Sequence, residues 1–344
     1  MLELWSPDGA FEALEAYLAE ELRPGLVADV YVGYGLSEPL RRDSAPPPSE
    51  PCRLPLLAAQ TRTAEPCRGT VPRVRVGRWE RSWTDAEYAE AVEEVRAAIE
   101  RGDVYQVNLV QHLSAPIEGD PAALAELLAP LRPLHARAFG GEGWTVVSAS
   151  PELFLARRGR RLWTSPIKGT RPLGEHVEGE KDAAEHVMIV DLERNDLARV
   201  CEPGSVRWPE LAAERELAGV VHLVSTVEGA LRKDAGLAEI LAATFPGGSV
   251  TGAPKISALD HIARLEPVGR GASMGALGTI HPNGDFELAL TIRTFAVAEG
   301  RLHLWVGGGI VWDSDPAAEI EESWVKARPL LESIGAPLPQ PALR

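Results

Sequence analysis

The sequence predicts an α+β fold in which long antiparallel strands form large sheets that helices cover on their outer faces. Two observations predict it. Runs of β-forming residues lie in several stretches of the chain, and amphipathic helical segments flank them. Hydrophobic residues make up 45% of the 344 positions, which is ample for a buried core.

Residues 1–76 are predicted to form a short N-terminal region packed on a main domain at residues 77–340. Apolar residues near helical spacing predict a helix from Phe11 to Leu22. Seven prolines lie between residues 43 and 72, where apolar periodicity is weak. That stretch is therefore predicted to be an extended connection or a loosely ordered excursion.

Capping residues and periodicity predict the helices of the main domain. Thr84 or Asp85 can cap a helix that ends before Gly102, and Asp315 can cap a C-terminal helix with Pro316 at its first position. Helical patterns with Gly-rich joints lie between these two, at Glu180–Leu197, Leu237–Thr244 and Pro254–Leu265.

Short β-forming runs predict the strands. Before the central helices they are Val104–Leu113, Trp144–Ser148, Leu153–Ala156 and Leu162–Trp163. After them, Met274–Ile280, Phe286–Ala298 and Leu302–Val306 predict a β-meander with a turn at Asn283-Gly284.

Charge and cysteine content exclude several classes of function. Fifty acidic and 35 basic side chains give a net charge of −15, which disfavours nucleic acid and anionic membranes as partners. No apolar run approaches the roughly 20 residues of a membrane span, so we expect a cytoplasmic protein. Cys52, Cys67 and Cys201 are odd in number and widely spaced, which predicts reduced thiols rather than disulfides or a zinc site.

A lysine in the sequence Pro-Ile-Lys-Gly-Thr is a candidate nucleophile. Lys168 is predicted to lie in a tight turn after a strand, and it must lose its proton through burial or neighbouring cations to react. Gly169 lets a ligand approach the backbone, and Thr170 offers a hydroxyl to an anion. The alternative is an ordinary solvated lysine.

A carboxylate precedes this lysine by sixteen residues. Glu152 follows Ser150-Pro151 at the start of an apolar strand, and one β-hairpin could hold both Glu152 and Lys168. A carboxyl group in a dry pocket has a raised pKa and can protonate a leaving hydroxyl. The alternative is a strand-end glutamate exposed to water.

Two helices carry paired carboxylates. Asp182 and Glu185 are three residues apart, as are Glu319 and Glu322, so each pair lies on one helix face; Lys326 follows four residues later. Together they could hold Mg²⁺, which prefers oxygen ligands. Such a cation would also help an acidic protein to bind an anionic substrate. Ordinary acidic helix faces are the alternative.

Three further features concern anion binding. Gly307–Gly309 follow a strand and expose backbone amides, unless they serve close packing. Arg293 lies in an apolar run and requires an anionic partner if buried. His222 is either a hydrogen-bonded core histidine or a ligand contact.

In combination these segments resemble the chorismate-utilising enzymes over roughly residues 77–335. The resemblance implies one compact domain of two large packed antiparallel sheets with helices on the outer faces, the anthranilate synthase component I-like fold, to which the N-terminal residues add strands. The matching motifs span 102–109 (GDVYQVNL), 150–152 (SPE), 166–170 (PIKGT), 191–197 (DLERNDL), 252–255 (GAPK), 292–294 (IRT) and 307–310 (GGGI).

Two positions discriminate within that family. Isochorismate and salicylate synthases carry a water-activating lysine where this chain has Gln106, so ammonia chemistry is implied instead. Anthranilate and isochorismate synthases typically have alanine at the position of Lys168, whereas aminodeoxychorismate synthases have lysine. The resemblance therefore implies component I of an aminodeoxychorismate synthase, which forms 4-amino-4-deoxychorismate for 4-aminobenzoate and folate synthesis through a covalent lysine intermediate.

Alternatives remain open. They are anthranilate synthase component I, an aminodeoxyisochorismate synthase, or a weakened chorismate-binding paralogue. The last is motivated by two departures from the family pattern. Ser273 stands where the family commonly has an aromatic residue, and His135 to Gly143 lacks the usual aromatic pattern before Ser148. Cys201 lacks the Gly-rich elbow of a glutamine-hydrolysing nucleophile, so ammonia is expected from a glutamine amidotransferase partner.

The resemblance also implies roles for individual residues. Lys168 would be the nucleophile and Glu152 the general acid; Glu185 and Glu322 would bind Mg²⁺, with Asp182 and Glu319 in support. The implied substrate contacts are Gln106, Gly169, Thr170, His222, Ser249, Arg293, Gly307, Gly308, Gly309 and Lys326.

Overall fold

The computed structural model describes residues 1–64, 74–172, 180–217 and 220–337; within them, the side chains of residues 170–172, 180–185, 216, 217 and 220–222 are not described. The helices are α1 (Ala10–Glu21), α2 (Asp85–Glu100), α3 (Ala123–Leu128), α4 (Glu180–Ala198), α5 (Leu237–Thr244), α6 (Lys255–Leu265) and α7 (Pro316–Ser333). Short 3-10 helices lie at Tyr34–Leu40, Ala129–Leu131 and Gly248–Val250.

The strands, in chain order, are β1 (Leu2–Leu4), β2 (Leu26–Val32), β3 (Leu57–Thr63), β4 (Val74–Val76), β5 (Glu80–Arg81), β6 (Gln106–Gly119), β7 (Phe139–Gly141), β8 (Trp144–Ser148), β9 (Leu153–Arg158), β10 (Arg161–Ser165), β11 (Ile167–Pro172), β12 (Arg207–Leu217), β13 (Val220–Ala230), β14 (Gly252–Ala253), β15 (Ala276–Ile280), β16 (Phe286–Leu290), β17 (Thr294–Ala298) and β18 (Arg301–Ile310).

These strands form two antiparallel sheets, which confirms the predicted α+β class. The ten-stranded sheet has the order β1-β3-β2-β15-β16-β9-β10-β13-β11, with β12 also paired to β13. The eight-stranded sheet has the order β14-β6-β18-β17-β8-β7, with β4 and β5 also paired to β6. Through β1, β2 and β3, the first 64 residues add three strands to the larger sheet.

The predicted helix starts follow from their caps. The Thr84 side chain accepts from the Glu87 amide while the Glu87 carboxylate accepts from the Thr84 amide, so α2 begins with a complete capping box. The Asp315 side chain accepts from the Ala318 amide, and Pro316 occupies the first turn of α7. All six predicted helices are present, with ends that differ from the prediction by at most one or two residues wherever an end was predicted.

Two predictions about strands were wrong. The run Phe286–Ala298 was expected to be one strand, but it divides into β16 and β17, which belong to different sheets. The break occurs at Arg293, which has a φ of 49°. Within the stretch at residues 43–72, expected to be a connection or excursion, β3 pairs with β2 along its whole length.

The core explains how helices and sheets are layered. One hydrophobic cluster joins both sheets and several helices, including Val30, Leu288, Val107 and Val92. A second cluster lies between the eight-stranded sheet and helices α3 and α7; its members include Leu113, Phe295, Leu304, Leu124, Leu128 and Leu330. Helices therefore cover the outer face of the smaller sheet, which buries its apolar side. Within the described part of the chain, no helix combines the length and apolar character needed to cross a membrane.

Candidate active site

Two neighbouring chain segments cross from one sheet to the other. One connects β8 in the smaller sheet to β9 in the larger, and the other connects β16 in the larger sheet to β17 in the smaller. They are held together by bonds from Ala149 N to Arg293 O (2.9 Å) and from Leu290 N to Glu152 O (3.0 Å). The Ser148 and Thr294 hydroxyls lie 2.8 Å apart. The crossing segments thus bring Glu152 and Arg293 together.

Glu152 lies at the start of β9, and its side chain is buried with 6% exposure. The Ser249 hydroxyl donates to its Oε1 at 2.8 Å, and its own amide donates to Ser150 Oγ at 3.2 Å. The alternative of a water-exposed glutamate is therefore wrong.

The environment of Glu152 favours its protonated form. Burial raises the pKa of this carboxyl group, while Lys168, the Ser249 hydroxyl, the Ile167 amide and Arg293 oppose the rise. The net pKa remains above the ordinary value, so Glu152 keeps its proton at a higher pH than a solvated glutamate. A group of this kind can act as a general acid.

Lys168 lies close enough to Glu152 to lower the pKa of its carboxyl group. The expectation that one hairpin holds both residues was wrong. Strands β9 and β10 form a hairpin, with Ser165 paired to Leu153, but Lys168 lies beyond it in β11, which pairs with β13. The expected tight turn at Lys168 was wrong, because the residue lies in β11 opposite Leu223 and is half-buried. The register shifts directly after it, and Gly169 has a φ of 60°, which a glycine adopts without strain.

His186 of α4 was not identified from the sequence. It is fully buried, and its Nε2 atom contacts the Ser225 hydroxyl. Burial, and to a smaller extent the nearby Lys168, lower the pKa of His186 to about 4. The imidazole is therefore neutral near the lysine. The sequence signal available for His186 was its position one residue after Glu185 in a predicted helix.

Arg293 occupies the break between β16 and β17 and is half-buried. Burial lowers the pKa of its guanidinium group, whereas the nearby Glu152 raises it. The prediction of a cation within a continuous strand was wrong, because the positive φ at this residue ends the strand. At this break the chain passes from the larger sheet to the smaller one, and Arg293 lies near Glu152.

The second part of the site consists of β18 and α7. Lys326 Nζ donates to Gly307 O at 2.9 Å and pairs with Glu322 Oε1 at 2.7 Å. A Cβ atom on Gly308 would lie 3.3 Å from Glu319 Oε2, 3.4 Å from Lys326 Nζ and 3.5 Å from Glu322 Oε1. The three charged side chains of α7 therefore meet over a position that has no side chain.

Gln106 faces the same strand. A Cβ atom on Gly309 would lie 2.1 Å from its Nε2 atom, so the absence of a side chain at Gly309 makes room for the amide. Gln106 is fully buried, yet neither atom of its amide has a hydrogen-bond partner within the described residues. Buried amides normally have partners, so an unpartnered amide of this kind is suited to binding a ligand.

One segment links the two parts of the site. Ser249, in the 3-10 helix at Gly248–Val250, contacts Glu152, while Thr251 O accepts from Asn108 N at 2.7 Å. Directly after it, Ala253 of β14 pairs with Gln106. Glu152 and Gln106 thus lie at opposite ends of one short connection.

Four predicted site residues have side chains outside the described part of the chain: Thr170 in β11, Asp182 and Glu185 in α4, and His222 in β13. Among the side chains that are described, no three possible metal ligands cluster. The predicted Mg²⁺ site is therefore described only for its α7 half, Glu319 and Glu322. Cys52 and Cys201 are free thiols, while Cys67 lies outside the described residues.

Known proteins resemble this chain in sequence. A family model described as chorismate binding enzyme matches residues 25–332. Anthranilate synthase component 1 of Thermus thermophilus is 42% identical over 294 residues, which are 81% of this chain and 63% of that protein. Aminodeoxychorismate synthase component 1 of Klebsiella aerogenes is 41% identical over 269 residues, which are 74% of this chain and 59% of that protein. The alignments thus span less than two thirds of either relative.

A solved structure has the same fold. Anthranilate synthase component I of Streptococcus pneumoniae superposes with a TM-score of 0.77 and 26% identity, covering 90% of this chain and 81% of that one. The predicted packing of two antiparallel sheets with outer helices is confirmed by this likeness and by the sheet order described above.

Proposed function

Because this chain belongs to the chorismate binding enzyme family, we propose that it converts chorismate and ammonia to 4-amino-4-deoxychorismate, as component I of an aminodeoxychorismate synthase. The observation that carries the proposal is Lys168, a half-buried amine that lies beside a buried carboxyl group, Glu152. The similarity to a protein named aminodeoxychorismate synthase component 1 supports it.

In the proposed reaction, the neutral amine of Lys168 forms a bond from Nζ to C2 of chorismate while the bond from C4 to its hydroxyl breaks. Glu152 gives its proton to the departing hydroxyl, which leaves as water. Ammonia then forms a bond to C4, and the bond between C2 and Lys168 breaks. The new ammonium returns a proton to Glu152, so both side chains recover their starting forms and the enolpyruvyl group is retained.

Several residues would bind the substrate. Arg293, Lys326 and the amides of Gly307–Gly309 would hold its carboxylates, with Gly169, Thr170, Ser249 and His222 lining the site. Gln106 would face the incoming nucleophile. Its amide cannot deprotonate water as a lysine could, which favours ammonia.

Mg²⁺ is part of the proposal. Carboxylate oxygens are the ligands it prefers, and Glu319 and Glu322 both reach the space over Gly308, so the described residues fit the ion. Glu185 and Glu322 would bind it, with Asp182 and Glu319 beside them. When bound, the ion would neutralise a substrate carboxylate.

The partner is proposed as well. Both relatives named above are called component 1, which favours a second subunit. We expect free ammonium to support the reaction alone, and glutamine to support it only after a glutamine amidotransferase subunit is added.

The test is product identification. Purified protein is incubated with chorismate, Mg²⁺ and ammonium; excess aminodeoxychorismate lyase is added, and the aromatic product is compared with standards by mass and chromatography. We expect 4-aminobenzoate from the wild type and from Lys233→Ala, an exposed lysine that serves as control. Lys168→Ala and Lys168→Arg should produce none.

Other products distinguish the alternatives. Anthranilate synthase component I is the second candidate, favoured by the 42% identity to the Thermus protein. Anthranilate as the product would establish it and would show that Lys168 does not decide the reaction. Saturable chorismate binding without any product would instead indicate a binding-only paralogue.

A further inference from the structure

Two sequence motifs contain buried charged residues that the proposed reaction does not use. Glu193 and Asp196 of α4 are 4% and 6% exposed. Lys255, the first residue of α6, donates from Nζ to Asp196 Oδ2 at 2.5 Å. Burying these charges is costly, and the pair of Lys255 with Asp196 already balances itself. Glu193 therefore needs its own explanation.

Glu193 is bonded to the segment that contacts the general acid. Its Oε1 atom accepts from the Gly248 amide at 2.9 Å. The next residue, Ser249, donates from its hydroxyl to Glu152 Oε1 at 2.8 Å. One peptide unit thus separates the carboxyl group of Glu193 from the hydroxyl that orients Glu152.

The helix also packs directly on this turn. A Cβ atom on Gly248 would lie 2.5 Å from Leu192 Cδ2 and 3.1 Å from Glu193 Oε1, so the α4 side chains pack directly against the backbone at this glycine. The Thr251 hydroxyl closes the turn by donating to Gly247 O at 3.0 Å. Helix α4 therefore determines where Ser249 lies.

We propose that Glu193 is a positioning residue: it anchors the Gly248 amide, so that the Ser249 hydroxyl holds Glu152 in the orientation needed to protonate the departing hydroxyl. The expected effect on kcat rests on the proposed function. The anchoring of the turn by Glu193 is independent of that function.

The anchor requires an acceptor rather than a charge. The groups that face Glu193 are Asp196 and Lys255, the Gly248 amide, and Glu152 itself. Burial and the neighbouring Asp196 raise the pKa of Glu193, while Lys255 and the Gly248 amide lower it. A neutral carbonyl oxygen at the same place can accept the same bond, so glutamine should replace Glu193.

The experiment compares variants of nearly equal size. Glu193→Gln keeps the acceptor, whereas Glu193→Met removes it. With chorismate, Mg²⁺ and ammonium, we expect Glu193→Met to lose about 10- to 100-fold in kcat with little change in KM, a part of the usual contribution of a general acid. Glu193→Gln should stay near wild type, as should Arg194→Gln, on the exposed face of the same helix. Glu193→Ser, too short to reach Gly248, replaces the methionine variant if that variant does not fold.

Two further measurements separate positioning from a general effect on the fold. Ser249→Ala and the double variant Ser249→Ala/Glu193→Met should have the same kcat, because Glu193 acts through Ser249. Hydrogen exchange at residues 245–251 should rise in Glu193→Met and not in Glu193→Gln. The exchange measurement needs no turnover, so it decides the anchoring even if the wild type proves inactive with chorismate.

The outcomes are distinct. Additive losses in the double variant, an equal loss in Glu193→Gln, or unchanged exchange in Glu193→Met would each overturn the inference. A wild type that forms no product from chorismate would instead overturn the proposed function, and the kinetic consequence of the inference with it, while the exchange result still decides the anchor.

Discussion

Two buried histidines make the stability of the smaller sheet dependent on pH. His112 of β6 and His303 of β18 are 7% and 2% exposed, and their Nε2 and Nδ1 atoms lie 3.0 Å apart. Trp305 packs against both rings, with centroid distances of 4.8 and 6.1 Å. Burial, His303 and Arg301 lower the pKa of His112 to about 3; burial and Arg301 lower that of His303 to about 4.

The sign of the effect follows from these pKa values. In the unfolded chain a histidine takes up a proton near pH 6.5, whereas in the fold these two stay neutral down to pH 3–4. The unfolded state therefore binds more protons as the pH falls below 6.5, and the free energy of unfolding decreases. Between pH 7.5 and 5.0 the loss is about 2 kcal/mol for each histidine, or about 4 kcal/mol for the pair.

Urea denaturation at the two pH values measures this loss. Many carboxyl groups also titrate, so the informative quantity is the difference between wild type and variant. Between pH 7.5 and 5.0, His303→Asn, whose amide can mimic Nδ1, should lose about 2 kcal/mol less of its free energy of unfolding than the wild type loses. His112→Gln/His303→Asn should lose about 4 kcal/mol less. Val306→Ala, a core substitution in the same strand, should lower stability at both pH values without changing the decrease. A double variant that keeps the wild-type decrease would refute the reasoning.

Three further predictions concern the site and its support. Glu152→Gln keeps an acceptor for Ser249 but has no acid proton, so turnover should fall about 10²–10⁴-fold while calorimetry shows chorismate binding nearly unchanged. Gly308→Ala would place a methyl group in the space between Glu319, Lys326 and Glu322, 3.3 Å from Glu319 Oε2, so more Mg²⁺ should be needed for half-maximal activity in a protein that still folds normally; an unchanged requirement would contradict the α7 metal site. Arg270→Met leaves Glu266 buried without its partner at 2.7 Å, so urea denaturation should show a loss of about 3–5 kcal/mol. Arg270→Met/Glu266→Met should restore only part of it, because Val110 N, Val250 O and Asn108 O also lose their partners.

Local chemistry made most of the helices predictable. Thr84 and Asp315 cap α2 and α7 through contacts within three residues, and these need no tertiary information. Strands β9 and β10, which lie between Glu152 and Lys168 in the chain, form a hairpin and are likewise close in sequence. The same locality explains why short runs such as Trp144–Ser148 were predicted with correct bounds.

Long-range pairing could not be predicted in the same way. Strand β2 contains the buried Asp29, which interrupts its apolar run and is satisfied by Arg62 and Thr279, residues 33 and 250 positions away. The long hairpin of β12 and β13 carries charges and register shifts that hide the period-two pattern. The break at Arg293 depends on a positive φ that the residue type does not announce. His186 was missed because its burial against Ser225 comes from a strand 39 residues away.

The two segments that cross between the sheets have a consequence for how this protein would lose function. Glu152 and Arg293 lie where the chain leaves one sheet for the other, whereas Gln106 and Gly307–Gly309 belong to the smaller sheet alone. The separation of these groups is therefore set by how the sheets dock, and not by either sheet's own hydrogen bonds. A slight slippage of one sheet against the other would dismantle the site while leaving every strand intact. Loss of turnover should thus be the earliest sign of loosening, before any change in secondary structure.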